Sequence, residues 1–182
     1  MATATLLDQM GFDTRWTSLR RGHRLRAPYQ WHSWLTDNGS LTQRLIQLSQ
    51  GQFAVRVIRQ QWGLPSRSEA QALGMRTRQM ALIREVHLLG KGEPWVYARS
   101  LIPATTLTGA QRRLRHLGNR SLGSLLFRTP GMRRGPLQIS RLGPKDNPLW
   151  ARRSVFFLQE KPLLVCEVFL SPLQQVHLGP QP

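Results

Sequence analysis

The sequence has one cysteine, Cys166, among 182 residues. No internal disulfide can form, so a reducing compartment is the natural setting and the core alone must hold the fold. Carboxylates are scarce as well: nine Asp and Glu stand against 26 Lys and Arg, a formal net charge of +17. Lysine is nearly missing, for every cation except Lys91, Lys145 and Lys161 is arginine. No apolar stretch approaches the ~20 residues a membrane-spanning helix needs. The N-terminus, Met1-Ala2-Thr3-Ala4-Thr5-Leu6-Leu7-Asp8, has no basic leader ahead of a hydrophobic run. A soluble, cytoplasmic protein is expected. Phosphate loops, dinucleotide fingerprints, HExxH and G-x-S-x-G are all absent. The histidines, His23, His32, His87, His116 and His177, lie far apart without clustered Cys or Asp partners. A metal site is therefore not expected.

What is abundant is positive charge, and it invites a nucleic-acid reading. The arginines, however, fall in small groups such as Arg20-Arg21, Arg112-Arg113, Arg133-Arg134 and Arg152-Arg153. They form no basic tail, and no helix-turn-helix, zinc finger or base-stacking motif accompanies them. No specific nucleic-acid partner is expected, while the positive field draws small anions toward any cleft.

One of the few carboxylates stands inside an apolar run, Leu163-Leu164-Val165-Cys166-Glu167-Val168-Phe169-Leu170. Glu167 shares its strand parity with Leu163, Val165 and Phe169, and the opposite parity is apolar too. Such a strand is covered on both faces, and Glu167 is at least partly buried. An arginine is placed in the same way in Met80-Ala81-Leu82-Ile83-Arg84-Glu85-Val86. The two residues read as opposite ends of a polarised pocket, a cation to hold an anion and a carboxyl to meet a hydroxyl or proton. The competing reading is structural ion pairing or a wet strand face. Cys166, within the same run, reads as a small buried hydrophobe rather than a nucleophile.

Along the chain, Pro28 opens a short helix bearing Tyr29, Trp31, Trp34 and Leu35, broken at Asp37-Asn38-Gly39. Ser40 and Gln43 match a capping box for a helix to about Ser49. Residues 52–62 alternate as a strand, and residues 63–78 read as a polar connection. Runs at 79–89 and 94–102 flank Gly90-Lys91-Gly92, a hairpin signal. Thr108 and Gln111 predict a helix to Leu117, stopped by Gly118, and residues 121–127 predict another. A strand at 137–142 precedes a final hairpin, 150–159 and 162–170, turning about Glu160-Lys161. No βαβ rhythm appears. The order predicts a single α+β domain, an antiparallel sheet with helices on one side. Residues 1–27 are expected to be loosely ordered apart from a helical turn around residues 5–10, 28–172 to form the domain, and 173–182 to be a disordered tail.

The local sequence around Arg84 and Glu167 carries a further signal. Leu82-Ile83-Arg84-Glu85-Val86 is followed by Gly92-Glu93-Pro94-Trp95-Val96-Tyr97-Ala98-Arg99-Ser100-Leu101-Ile102-Pro103. Thr106-Leu107-Thr108-Gly109 and Leu117-Gly118-Asn119-Arg120-Ser121-Leu122-Gly123 come next, then Leu149-Trp150-Ala151-Arg152-Arg153-Ser154 and Lys161-Pro162-Leu163 through Leu170. This ordered set, from about Trp31 to Pro172, resembles the chorismate–pyruvate lyase family. The resemblance implies a six-stranded antiparallel sheet with helical flaps over a buried site. It implies cleavage of chorismate to 4-hydroxybenzoate and pyruvate, the committed entry to ubiquinone, by a cofactor-free enzyme expected to be monomeric. By the same resemblance Arg84 binds the ring carboxylate, Glu167 meets the 4-hydroxyl, and Leu122 lines the pocket near the carboxylate. Leu41 stands where a methionine contact is common, a departure of little weight if that contact runs through the main chain. A second cation for the enolpyruvyl carboxylate is needed, and the sequence does not identify it. Two alternatives stand beside this: a non-catalytic ligand-binding domain of the same fold, as in bacterial transcription regulators, and a basic nucleic-acid-associated protein. The roughly 27 residues ahead of Pro28 are too few for the DNA-binding module such regulators carry.

Overall fold

Period-two alternation, turn chemistry and short capped helices set the local structure. The computed structural model describes residues 12–19, 25–76, 78–143 and 146–177. The helical turn expected around residues 5–10 lies outside them. In chain order the strands are β1 (Thr17–Ser18), β2 (Phe53–Gly63), β3 (Ala81–Gly90), β4 (Glu93–Pro103), β5 (Arg133–Arg134), β6 (Gln138–Leu142), β7 (Leu149–Leu158) and β8 (Lys161–Phe169). The helices are α1 (Tyr29–Thr36), α2 (Leu41–Leu48), α3 (Arg67–Leu73), α4 (Leu122–Arg128) and α5 (Ser171–His177), with a 3-10 helix at Gly109–His116.

All pairings are antiparallel, in the order β1-β6-β7-β8-β4-β3-β2, with β5 set against β7. Among the described residues two of the eight strands are two-residue pieces, so six carry the sheet. Its centre consists of two hairpins closed by tight turns. Lys91 and Gly92 both have positive φ, 52° and 82°, between the paired Gly90 and Glu93. This is the turn whose twist matches the flanking strands. Gly90 is required for packing: a Cβ there would lie 2.2 Å from the Trp95 ring. The second hairpin turns at Gln159-Glu160, φ 49° and 62°, one residue earlier than the sequence predicts.

The sheet is buried on both faces. Trp31, Trp34 and Leu35 of α1 and Leu41 and Leu45 of α2 cover Val86, Leu88, Val96 and Phe169. Leu114 of the 3-10 helix, with Leu122 and Leu126 of α4, covers Leu82, Ile102, Phe156 and Leu163 beside them. On the opposite face Leu73 of α3 meets Ile83, Leu101 and Leu164, and Phe12 and Trp16 pack near Tyr97 and Cys166. The helices are thus not confined to one side, and the polar connection expected at 63–78 contains α3. Its start is a full capping box, Ser66 with Glu69, and Gly74 ends it with φ 63°. The tail also departs from expectation: α5 occupies Ser171–His177, because Leu173 is fully buried against the α1 side of the core. The predicted capped helix at Thr108 is a 3-10 helix without a side-chain cap.

Candidate active site

Strand parity places Leu82, Arg84, Val86 and Leu88 of β3 on the face covered by α1, α2 and α4. Ala98 and Ser100 of β4, and Val165 and Glu167 of β8, share that face. Arg84 pairs with Ser100, and Ala98 pairs with Glu167. Two strand spacings and a two-residue stagger therefore separate the two charged residues, about 12 Å between Cα atoms. The small Ala98 and Ser100 lie between them and leave the space that larger side chains would fill. A cavity occupies it, lined by Arg84 and Glu167, by Val86, Leu88, Ala98, Ser100 and Val165 of the sheet, and by Thr42, Ser121, Leu122 and Gly123 of the flaps.

At one end Arg84 is buried, 3% exposed. Its Nη2 donates to the main-chain oxygens of Gly118 (2.7 Å) and Arg120 (3.2 Å), and its Nη1 to Gln60 Oε1 (3.2 Å). All three partners are neutral, and no ion pair to a carboxylate is recorded for it among the described residues. Burial holds its pKa below the ordinary arginine value, yet a guanidinium stays charged at any physiological pH. The three neutral partners orient the guanidinium without neutralising its charge.

At the other end Glu167 Oε2 accepts from Arg152 Nε at 2.6 Å. Arg152 and Glu167 are directly opposed residues of the β7–β8 hairpin. Arg134 adds a second, half-buried cation here, donating to Ser154 Oγ (3.1 Å) and the Asn38 main-chain oxygen (3.2 Å). Burial lowers its pKa, while the charge of Glu167 acts the other way.

The roof consists of two flaps that touch. Thr42 Oγ1 of α2 and Ser121 Oγ, the N-cap of α4, are 2.6 Å apart. Gly123 permits this approach, since a Cβ there would lie 2.9 Å from Thr42 Oγ1. Outside lies a wider cleft that shares Thr42, Val55, Arg120 and Ser121 with the inner cavity and adds Arg113 and Arg128. No carboxylate occurs between Glu93 and Asp146 in the sequence, so the roof is cationic.

A cavity with a cation at one end and a carboxylate at the other has the polarity for a small anion bearing a hydroxyl group; its volume is about 40 Å³, so the flaps must part to admit one. The chorismate lyase family model matches residues 17–177. The chain belongs to the chorismate lyase family. Relatives include the probable chorismate pyruvate-lyases of Marinobacter nauticus, 45% identical over 78% of this chain and 77% of that one, and of Methylobacillus flagellatus, 41% identical over 90% and 97%. Solved structures share the fold alone. PhnF of Mycobacterium smegmatis has a TM-score of 0.53 at 14% identity, covering 75% of this chain and 66% of that chain. The possible transcriptional regulator YydK of Bacillus subtilis has 0.51 at 14% identity, covering 93% and 76%.

Of the residues that the resemblance to the chorismate lyase family implies, Arg84, Leu122 and Glu167 line one cavity. Leu41 does not: its side chain is buried, 4% exposed, in the α1–α2 core, and the next residue, Thr42, faces the cavity instead. Sequence reasoning missed Arg152, Thr42 and Ser121. The hairpin register would have paired Arg152 with Glu167 had the turn been placed correctly. Nothing in the sequence brings residue 42 to residue 121. Among the described residues, no helix is long and apolar enough to cross a membrane.

Proposed function

We propose that this chain is a chorismate pyruvate-lyase, converting chorismate to 4-hydroxybenzoate and pyruvate at the first committed step of ubiquinone biosynthesis. The observation that carries the reading is the pairing of Arg84 and Glu167 across one cavity in a chain of this family. The ring carboxylate lies against Arg84, replacing neutral acceptors with a charged one, and planar guanidinium geometry favours a bidentate contact. The 4-hydroxyl donates to Glu167. Leu122 packs against the ring near the carboxylate end. Leu41 contributes through its main-chain N–H, one of the donors that the first turn of a helix leaves unused.

In the reaction the ether bond between ring and enolpyruvyl group breaks while the ring loses a proton and becomes aromatic. The released enolpyruvate gains a proton and becomes pyruvate. The atoms balance without any co-reactant, and aromaticity supplies the driving force. The protein's work is to bind, orient and exclude water. Glu167 aligns the hydroxyl and assists the departing ring proton. Arg134 lies at the end where the enolpyruvyl carboxylate must sit and can serve as its cation. The Thr42–Ser121 contact closes the roof, so product leaves slowly and release limits turnover. The enzyme acts as a monomer in the cytoplasm.

The test is an ultraviolet assay of the purified protein with chorismate, measuring both products. Equal amounts of 4-hydroxybenzoate and pyruvate, lost in Arg84→Ala, support the reading. Glu167→Gln should lower kcat more than affinity, and an unchanged kcat would refute the acid–base role. Tight 4-hydroxybenzoate binding without turnover would make the chain a non-catalytic binder of the same fold.

A further inference from the structure

Arg152 is charged, yet only 1% exposed. Its guanidinium has two sets of partners in different parts of the fold. Nε donates to Glu167 Oε2 at 2.6 Å, across the β7–β8 hairpin. Nη1 donates to the main-chain oxygens of Trp34 and Asp37, both at 2.7 Å. Those two oxygens lie in the last turn and C-cap of α1, where a helix runs out of its own donors and a cation is favoured. The connection from Asp37 leads directly to Ser40 and α2, whose Thr42 closes the roof. Among the described residues only Oε2 of Glu167 has a recorded partner, which leaves Oε1 for the cavity.

We propose that Arg152 is a positioning residue that aims Oε1 of Glu167 at the ligand's hydroxyl and locks the α1–α2 flap to that carboxylate as one unit. The inference rests on the functional reading above. Planarity is what makes it work: the fork fixes the direction of Nε relative to Nη1, so the carboxylate plane follows from where α1 ends. Lysine, a point charge on a flexible stem with rotating donors, can reach these acceptors but cannot fix the direction of one contact relative to another. A purely structural ion pair would make a different demand. It would have to be intact for folding, but its removal would weaken every ligand of the cavity equally.

Two ligands separate these cases. 4-Hydroxybenzoate engages both ends of the cavity, whereas benzoate lacks the hydroxyl and engages only the Arg84 end. Isothermal titration of the wild type should show 4-hydroxybenzoate binding at least about tenfold tighter, as a hydrogen bond to a charged acceptor implies. In Arg152→Gln that ratio should fall toward the value in Glu167→Gln, with benzoate affinity changed less than about threefold. Arg152→Lys keeps the buried charge and should fold where the Gln variant does not, with an intermediate ratio. A ratio in Arg152→Lys equal to that of the wild type would overturn the proposal, as would equal weakening of both ligands in Arg152→Gln. An arm on the unmodified chain needs no variant to fold. In protein labelled with ¹⁵N-arginine, an exchange-protected Nε–H signal should shift with 4-hydroxybenzoate and not with benzoate, and identical shifts would count against the proposal. If the wild type binds neither ligand and leaves chorismate intact, it is the functional reading that falls. If it binds and turns over while the selectivity ignores Arg152, only this inference falls.

Discussion

Arg84 gives the sharpest quantitative prediction, because it is a buried cation without a buried counter-charge among the described residues. Its partners are one side-chain amide and two main-chain carbonyls. Arg84→Met orphans no carboxylate among the described residues, so the unliganded protein loses three charge-assisted hydrogen bonds of about 1.5–3 kcal/mol each and is spared the desolvation cost of a buried charge, itself several kcal/mol. A small net change in stability is expected. Binding should behave in the opposite way. Removing one partner of a buried, hydrogen-bonded charge pair costs about 2–5 kcal/mol, or roughly 30-fold to several thousand-fold in Kd. Calorimetric melting with and without 4-hydroxybenzoate reads both quantities. At a ligand concentration 100 times the wild-type Kd, binding adds about 2.7 kcal/mol, which raises Tm by about 5–11 °C for a chain of this size. At the same concentration the variant should gain less than about 1 kcal/mol, a few degrees at most. Equal shifts in the two proteins would refute the placement of the carboxylate at Arg84. A collapse of the unliganded variant, by more than about 10 °C, would show that Arg84 serves the fold rather than the ligand.

Three further outcomes follow from the same structure. Burial alone would raise the Glu85 carboxyl, but bonds from Arg59 and Tyr97 and the charge of Arg99 outweigh it and hold its pKa below the usual 4.5. Its stabilisation is present above that value and lost as pH falls through the lowered native pKa, so denaturant midpoints should decline as the pH is taken below 4.5; Glu85→Gln should flatten that decline, and an unchanged slope would refute it. Burial, with Glu69 adding to it, pushes the Cys166 thiol well above its ordinary range; a thiol reagent should therefore label the protein only after denaturation, and rapid native labelling would contradict the packing. Gly123→Ala places a Cβ 2.9 Å from Thr42 Oγ1 and should part the flaps, so that stopped-flow release of 4-hydroxybenzoate speeds up several-fold; an unchanged release rate would show that this contact does not gate exit.

The two faces of the central strands were legible in the sequence because side-chain direction alternates along a strand whatever the partner. Alternation alone placed Glu167 with Leu163, Val165 and Phe169, and Arg84 with Leu82 and Val86. Turn chemistry located Gly90-Lys91-Gly92, since positive φ is cheapest for glycine. The second turn was misplaced by one residue because Gln159 and Glu160 take positive φ without any glycine to announce it. Moving a two-residue turn by one position shifts the pairing by two, so the expected turn sets Ser154, not Arg152, opposite Glu167. Helix α3 was legible in principle, from Ser66, Glu69 and Gly74, but its few apolar residues hid it among polar ones.

What the sequence determined by itself was therefore local: parity, caps, the first hairpin, and which charged residues sit in apolar runs. Ordered blocks of residues added the family. Only the tertiary structure decided that Arg84 finds neutral partners while Glu167 finds Arg152, that Thr42 rather than Leu41 faces the cavity, and that Thr42 meets Ser121 across the roof. Each of those contacts joins segments distant in sequence or depends on the register of a hairpin. Their geometry is set by how helices dock on a sheet, a property of the packed whole that no local pattern contains.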